Sequence, residues 1–212
     1  MLIIKSFTFN PIQENTYLVY NEHGECIIVD PGCYDASERK ELTDFLSSHD
    51  LLPKSLLNTH CHLDHVFGNK FIQDTYGLTL QLHEKEQQML ELAPVSGMQW
   101  GLPFDNYDGD LLFLKEGDRI RLGEDVLTVL FTPGHSPGSL SFYCEAQHFV
   151  LSGDALFRSG IGRTDLPGGD YDILINSIRT RLFTLPDHTV VYSGHGVETT
   201  IGYEKKHNPF LA

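Results

Sequence analysis

Apolar and polar residues alternate along the opening MLIIKSFTFNPIQENTYLVY, a period of two that predicts strands over 2–9 and 15–20, with a third β-like run at 25–29. The period then changes. Leu42, Phe45 and Leu46 fall at i, i+3 and i+4, which predicts a half-buried helix over 36–48. A strand at 55–58, a helix from near Asp64 to Tyr76, a strand at 78–82 and a helix over 83–92 follow. Pro94 is expected to stop that last helix, because it has no N–H to give the preceding turn. Residues 93–112 read as loop-rich. Beyond them the pattern predicts strands at 119–122, 126–131, 139–144 and 147–152, a helix over 170–183, a strand at 189–193 and a short C-terminal helix.

The ends of these apolar runs carry the chemistry. The strand at 55–58 runs into Thr59-His60-Cys61-His62-Leu63-Asp64-His65, three imidazoles and one carboxylate within six residues. Neutral nitrogen combined with carboxylate oxygen suits zinc, iron or manganese, and neither an all-oxygen calcium site nor a thiolate site. His60 and His62 lie two apart, so in an extended loop they face one side, and Cys61 between them faces away as a packing residue. Three later runs end alike. His135 follows Val126–Phe131 in a Thr-Pro-Gly turn, Asp154 follows Phe149-Val150-Leu151-Ser152-Gly153, and His195 follows Val190-Val191-Tyr192-Ser193-Gly194. Singly these are weak signals, since an aspartate after a strand is commonly a helix N-cap. Together they make five histidines and two aspartates, about what two neighbouring first-row ions require with a bridging carboxylate and water. His23, His49, His148, His188 and His207 sit in polar or turn contexts and are expected to face solvent. His83 opens a helix and reads as a packing residue. The segment 96–104, which holds Trp100, reads equally as a substrate wall and as a loop folded on its own apolar residues.

Composition narrows the setting. A chain of 212 residues is expected to form a single domain, 1–212. A net charge of −14 argues against a nucleic-acid partner, because affinity for phosphate backbones rests on Lys and Arg. No stretch is long enough to span a membrane, and the N-terminus has no apolar core or cleavage site of a signal peptide. Cys26, Cys33, Cys61 and Cys144 are scattered without a disulfide spacing, so reduced thiols in a cytoplasmic protein are expected. The pattern leaves oligomeric state open.

The combined motif resembles that of the metallo-β-lactamase-fold superfamily, and most of all its small glyoxalase II-type hydrolases. The T-H-x-H-x-D-H loop is at 59–65, the later histidine is His135, the S/T-G-D aspartate is Asp154, the final histidine is His195, and Val29-Asp30-Pro31-Gly32 matches the early V-D-P-G turn. The resemblance extends over effectively the whole chain. It implies an α/β fold, an αβ/βα sandwich of two mixed sheets with helices on the outer faces. It implies two divalent ions, zinc foremost with iron or manganese as alternatives: one on His60, His62 and His135, the other on Asp64, His65 and His195, with Asp154 bridging and Asp30 supporting from behind. It further implies a hydrolase of small-molecule thioesters, in which water acidified between the ions attacks the carbonyl and Asp64 orients it. A thiolate, from a thiol of pKa about 8.5, leaves without a proton donor, which favours thioesters over amides. The chain ends at Ala212 soon after the last donor, so the helical region on which glyoxalase II enzymes hold glutathione is expected to be missing and the carrier thiol stays open. Gly162-Arg163-Thr164-Asp165 is similar to the G-R-[ST]-D turn of short glyoxalase II-like proteins and of persulfide dioxygenases. Arg163 there reads either as a clamp for a substrate carboxylate or as a partner of Asp165. The persulfide dioxygenases offer the alternative activity, with one non-haem iron on His60, His135 and Asp154.

Overall fold

The computed structural model describes residues 1–211 and contains two six-stranded mixed sheets packed face to face. The first is built in chain order from β1 (Ile3–Phe9), β2 (Glu14–Tyr20), β3 (Glu25–Val29), β4 (Leu52–Leu57), β5 (Leu80–Leu82) and β6 (Leu111–Phe113). Its first three strands are antiparallel, and β3 through β6 run parallel. The second sheet holds β7 (Arg119–Leu122), β8 (Asp125–Phe131), β9 (Leu140–Cys144), β10 (Phe149–Gly153), β13 (Val190–Ser193) and β14 (Thr199–Thr200) in the order β14-β13-β10-β9-β8-β7. A small ribbon, β11 (Leu156–Phe157) with β12 (Gly160–Ile161), lies beside it.

Strand alternation explains the layering. In β3 every residue after Glu25 is buried, because both faces are covered. Ile27 and Val29 point to the inter-sheet core with Tyr17, Val19, Leu57, Leu127, Phe142 and Leu151. Cys26 and Ile28 point outward, beneath the helices α1 (Ala36–Ser48), α2 (Leu63–Val66), α3 (Asn69–Tyr76) and α4 (Gln87–Gln99), joining Leu42, Leu46, Val66, Ile72 and Leu90. On the other sheet Val150 and Val191 turn outward to Leu174, Ile178 and Ile201 of α5 (Tyr171–Ser177), its continuation and α6 (Ile201–His207). The expected αβ/βα sandwich is what forms.

Four local expectations require correction. The helix expected to stop at Pro94 runs through it to Gln99. Pro94 deprives the Leu90 carbonyl of its helical donor, and Asn106 Nδ2 supplies one instead at 2.7 Å. The helix expected from Asp64 to Tyr76 is two pieces, because the Gly68 N–H bonds Pro31 O at 2.7 Å, and a Cβ at Gly68 would meet that same carbonyl. The end of the 93–112 stretch read as loop-rich begins the edge strand β6, Leu111–Phe113. The helix expected over 170–183, capped by the Asp170 carboxylate on Ile173 N, loosens after Ser177 into a wider turn, Ile178–Leu182. Among the described residues no helix is long and apolar enough to cross a membrane.

Candidate metal centre

All four donor-bearing segments leave the sheets at one edge of the sandwich, His60 after β4, His135 after β8, Asp154 after β10 and His195 after β13. Backbone bonds lock those strand ends together: Leu140 N to Thr59 O at 2.8 Å, Gly194 N to Gly153 O at 2.9 Å and Asn15 N to Gly194 O at 2.7 Å. Glycine is required where the approach is closest. A Cβ at Gly194 would stand 2.7 Å from the His65 ring and collide with Asp154, and one at Gly162 would press on the His135 ring at 3.0 Å.

Four of the five histidines are oriented through Nδ1. His135 donates to Arg163 O at 2.7 Å and His195 to Gln13 O at 3.0 Å. His65 Nδ1 faces Asp30 Oδ2 at 3.1 Å. His60 Nδ1 faces Thr59 Oγ1 at 3.1 Å, and that hydroxyl spends its own proton on Asp30 Oδ2, so it accepts from the imidazole. Asp30 is therefore saturated, with Thr59 N and Asn58 Nδ2 on its other oxygen. These partners turn each Nε2 inward, the usual arrangement of ligating imidazoles, and on the neutral His60 and His135 they leave it unprotonated.

The inward atoms form two groups. His60, His62 and His135 make one and Asp64, His65 and His195 the other, with the donor atoms of each within 4.8 Å of one another. His60 Nε2 and His135 Nε2 lie 3.2 Å apart with no proton between them, and His62 presents Nδ1 to His135 Nε2 at 2.8 Å. An ion holding nitrogens tetrahedrally at 2.0–2.1 Å spaces them about 3.3 Å apart. In the second group Asp64 Oδ2 is 3.2 Å from His195 Nε2 and 3.7 Å from His65 Nε2. Asp154 stands between the groups, Oδ1 at 3.4 Å from His65, Oδ2 at 3.5 Å from His135 and 3.6 Å from His195. His65 Nε2 and Asp154 Oδ1 are buried without a hydrogen-bond partner. Native interiors rarely leave such atoms orphaned, and an ion of this donor chemistry is what they fit. A third grouping of Asp30 with His60 and His65 is also close, but both Asp30 oxygens are already occupied by donors.

Charge follows position. Burial keeps His60, His62 and His135 neutral, pushing the His62 pKa down to about 3. Burial opposes charge on His65 too, yet Asp154 and Asp64 together outweigh it and hold its pKa well above the ordinary value. Burial likewise opposes ionisation of Asp154, but His65 above all keeps its carboxyl well below the usual range.

Beside the donors is a cavity of about 270 Å³ walled by Ile12, Met89, Leu92, Trp100, Leu166 and Pro167. In the 96–104 segment Trp100 lines the cavity, while Phe104 folds down on Phe67, ring centroids 4.9 Å apart. Arg163 also lines this cavity, but its guanidinium is engaged by Asp165 through two bonds of 2.7 and 2.8 Å. His83 stacks on Phe131 and accepts from Lys85 N, away from the donors. Two residues went unnoticed in the sequence, Glu14 and Glu86, both wholly buried. Glu14 accepts from Thr16 Oγ1 and lies 3.9 Å from His65; burial raises its pKa well above the carboxylate range.

All four cysteines are free and buried. Burial pushes the Cys26 and Cys33 thiols up to about 12 and the Cys61 thiol well above its ordinary value. A disulfide-exchange reagent at pH 8 is thus expected to titrate less than about one thiol in the native protein and all four after denaturation. Cys61→Ala should leave turnover within about threefold, whereas losing a true nucleophile costs about 10⁶-fold.

Residues 9–195 match the family model described as the metallo-beta-lactamase superfamily. The chain is 39% identical over 201 residues to hydroxyacylglutathione hydrolase GloC of Haemophilus influenzae, covering 94% of this chain and 93% of that protein. It is similar in structure to BLEG-1 B3 metallo-beta-lactamase, with a TM-score of 0.90 and 40% identity over 99% of this chain and 100% of that one. It is also similar to TTHA1623 in a di-iron-bound form, with a TM-score of 0.88 and 39% identity over 98% and 100% of the two chains.

Proposed function

The chain is a metallohydrolase belonging to the metallo-beta-lactamase superfamily, and on that premise we propose that it cleaves thioesters of small hydroxy acids with two divalent ions. The observation that carries the reading is the pair of facing donor groups with Asp154 between them. His60, His62 and His135 would hold one ion, Asp64, His65 and His195 the other, and Asp154 would serve both. Such ions supply, when bound, a Lewis acid for the carbonyl and a water of lowered pKa. Zinc, iron and manganese all suit these donors, and the di-iron form of TTHA1623 shows that a close relative takes iron.

The remaining chemistry belongs to the side chains. Asp64, beside His195 in the cavity lining, would orient the attacking water. Cys61 borders the cavity but is buried with its thiol held protonated, so it is a poor nucleophile. The cavity wall offers Ser96 and Gln99 but no free acid to protonate a leaving group, and Arg163 is held by Asp165. A thiolate needs no such acid. The name of the Haemophilus relative supports the same class of substrate.

The alternative, an iron-dependent persulfide dioxygenase, requires only His60, His135 and Asp154. It leaves the inward-turned His62, Asp64, His65 and His195 without a purpose, which supports the dinuclear reading. Metal content of the purified protein, measured together with a thioester panel (lactoyl-glutathione, lactoyl-coenzyme A and smaller thiols), tests it. Two ions per chain and thioester hydrolysis are expected. One iron per chain, with oxygen consumed on a persulfide and no thioester cleaved, would overturn it.

A further inference from the structure

Glu86 is fully buried and has no cationic partner among the described residues. It ends the turn Glu84–Glu86 that leads into α4, and its carboxylate accepts three hydrogen bonds. Oε2 takes the N–H of Cys61 at 2.7 Å, and Oε1 takes the Ser136 hydroxyl and the Gly138 N–H, each at 2.6 Å. Cys61 lies between His60 and His62, and Ser136 follows His135. One side chain therefore ties together the two loops that carry every donor of the three-histidine group. Gly138 is fitted to it, since a Cβ there would stand 2.8 Å from Glu86 Cγ.

Burying a carboxylate is costly unless its oxygens are filled by donors, and bonds to a charged acceptor are about twice as strong as neutral ones. Burial pushes the Glu86 pKa up, and Ser136, Cys61 and Gly138 pull against it. Glutamine would offer a single acceptor oxygen and turn an NH₂ toward groups that are themselves donors. The charge is thus retained where only an ionised carboxylate satisfies all three partners.

We propose that Glu86 is a positioning residue for the three-histidine group, its carboxylate clamping the His60–His62 loop to the His135 loop and setting the imidazole spacing before an ion arrives. This rests on reading His60, His62 and His135 as the ligands of one ion, and the wild-type titration tests that reading separately.

The test is a titration of metal-free protein with Co²⁺ against a chromophoric chelator, with visible absorption distinguishing a three-histidine from a carboxylate-rich site. Wild type is expected to bind two ions. Glu86→Gln should weaken the three-histidine site about 10- to 100-fold, the range seen when a group orienting a ligand is lost. The site of Asp64, His65 and His195 should stay within about threefold. Should Glu86→Gln not fold, as judged by melting of the metal-free protein, Ser136→Ala carries the test: it removes one of the three bonds and should weaken the same site by several-fold only. Unchanged binding of both ions, or equal weakening of both, would overturn the proposal. Wild-type protein that binds no ion would sink the site reading and this one with it.

Discussion

Asp154→Ala is expected to lower turnover by a factor on the order of 10² or more and to leave the protein with no more than one ion per chain. Losing a group that merely orients a ligand already costs about 10- to 100-fold, and Asp154 stands closer to the chemistry than that. Its two oxygens face His65 on one side and His135 with His195 on the other, so a single truncation withdraws charge from both donor groups. His65 above all holds its carboxyl well below the usual range despite burial, so the charge is present at any working pH. Asp154→Asn separates charge from shape. It should retain the fold, as read by circular dichroism, while metal analysis and thioester hydrolysis fall with the alanine variant. Full activity in either variant would refute the assignment of Asp154.

Removal of the ions by a chelator should have the second largest effect. An ion at about 1,000-fold excess over its dissociation constant stabilises the folded chain by about 4 kcal/mol. For a chain of this size, that corresponds to roughly 8–16 °C in melting temperature. The gap should also depend on pH. Without ions, the negative charge of Asp64 and Asp154 is offset by protonated His65 and His195, whose pKa values lie above the ordinary histidine value although burial opposes the charge. A raised folded pKa gives stability that is complete below the unfolded value, about 6.5, and is lost as pH rises through the folded one. The metal-free protein should therefore melt lower at pH 9 than at pH 7, and the difference from the loaded protein should widen. A metal-free protein melting at the loaded temperature, or a gap that narrows toward alkaline pH, would contradict this buried charge balance.

Much of this cluster is legible in the sequence because its members follow a repeated local rule: an apolar strand, a glycine or a small residue, then a nitrogen or oxygen donor. His60, His135, Asp154 and His195 each obey it within a window of about eight residues, and the strand period places all four at one edge. The misreadings share the opposite property. Pro94 reads as a stop because its compensation, Asn106, lies beyond the helix and cannot be paired with Leu90 by pattern. The break at Gly68 depends on Pro31, from a different strand end. Glu86 sits in His83-Glu84-Lys85-Glu86-Gln87, a polar run at the start of the helix expected over 83–92, with no apolar period to mark it as buried. Only the loops 25 and 50 residues away bury it. Glu14 is similar, its burial created by Thr16, Gly32 and His65. Local periodicity reports which face of an element is apolar, and it cannot report a polar group whose partners arrive from elsewhere in the chain.

The two sheets divide the chain in sequence, residues 3–113 in one and 119–200 in the other, joined by a short connection at 114–118. The donors divide the same way. His60, His62, Asp64 and His65 come from the first part, and His135, Asp154 and His195 from the second. On the proposed assignment neither ion is complete within one part, so each would act as a cross-link between them, its strength set by how often the tethered parts meet in register. The centre would then hold the sandwich closed as well as work on its substrate, and a chain whose sheets have drifted apart would lose both ions together.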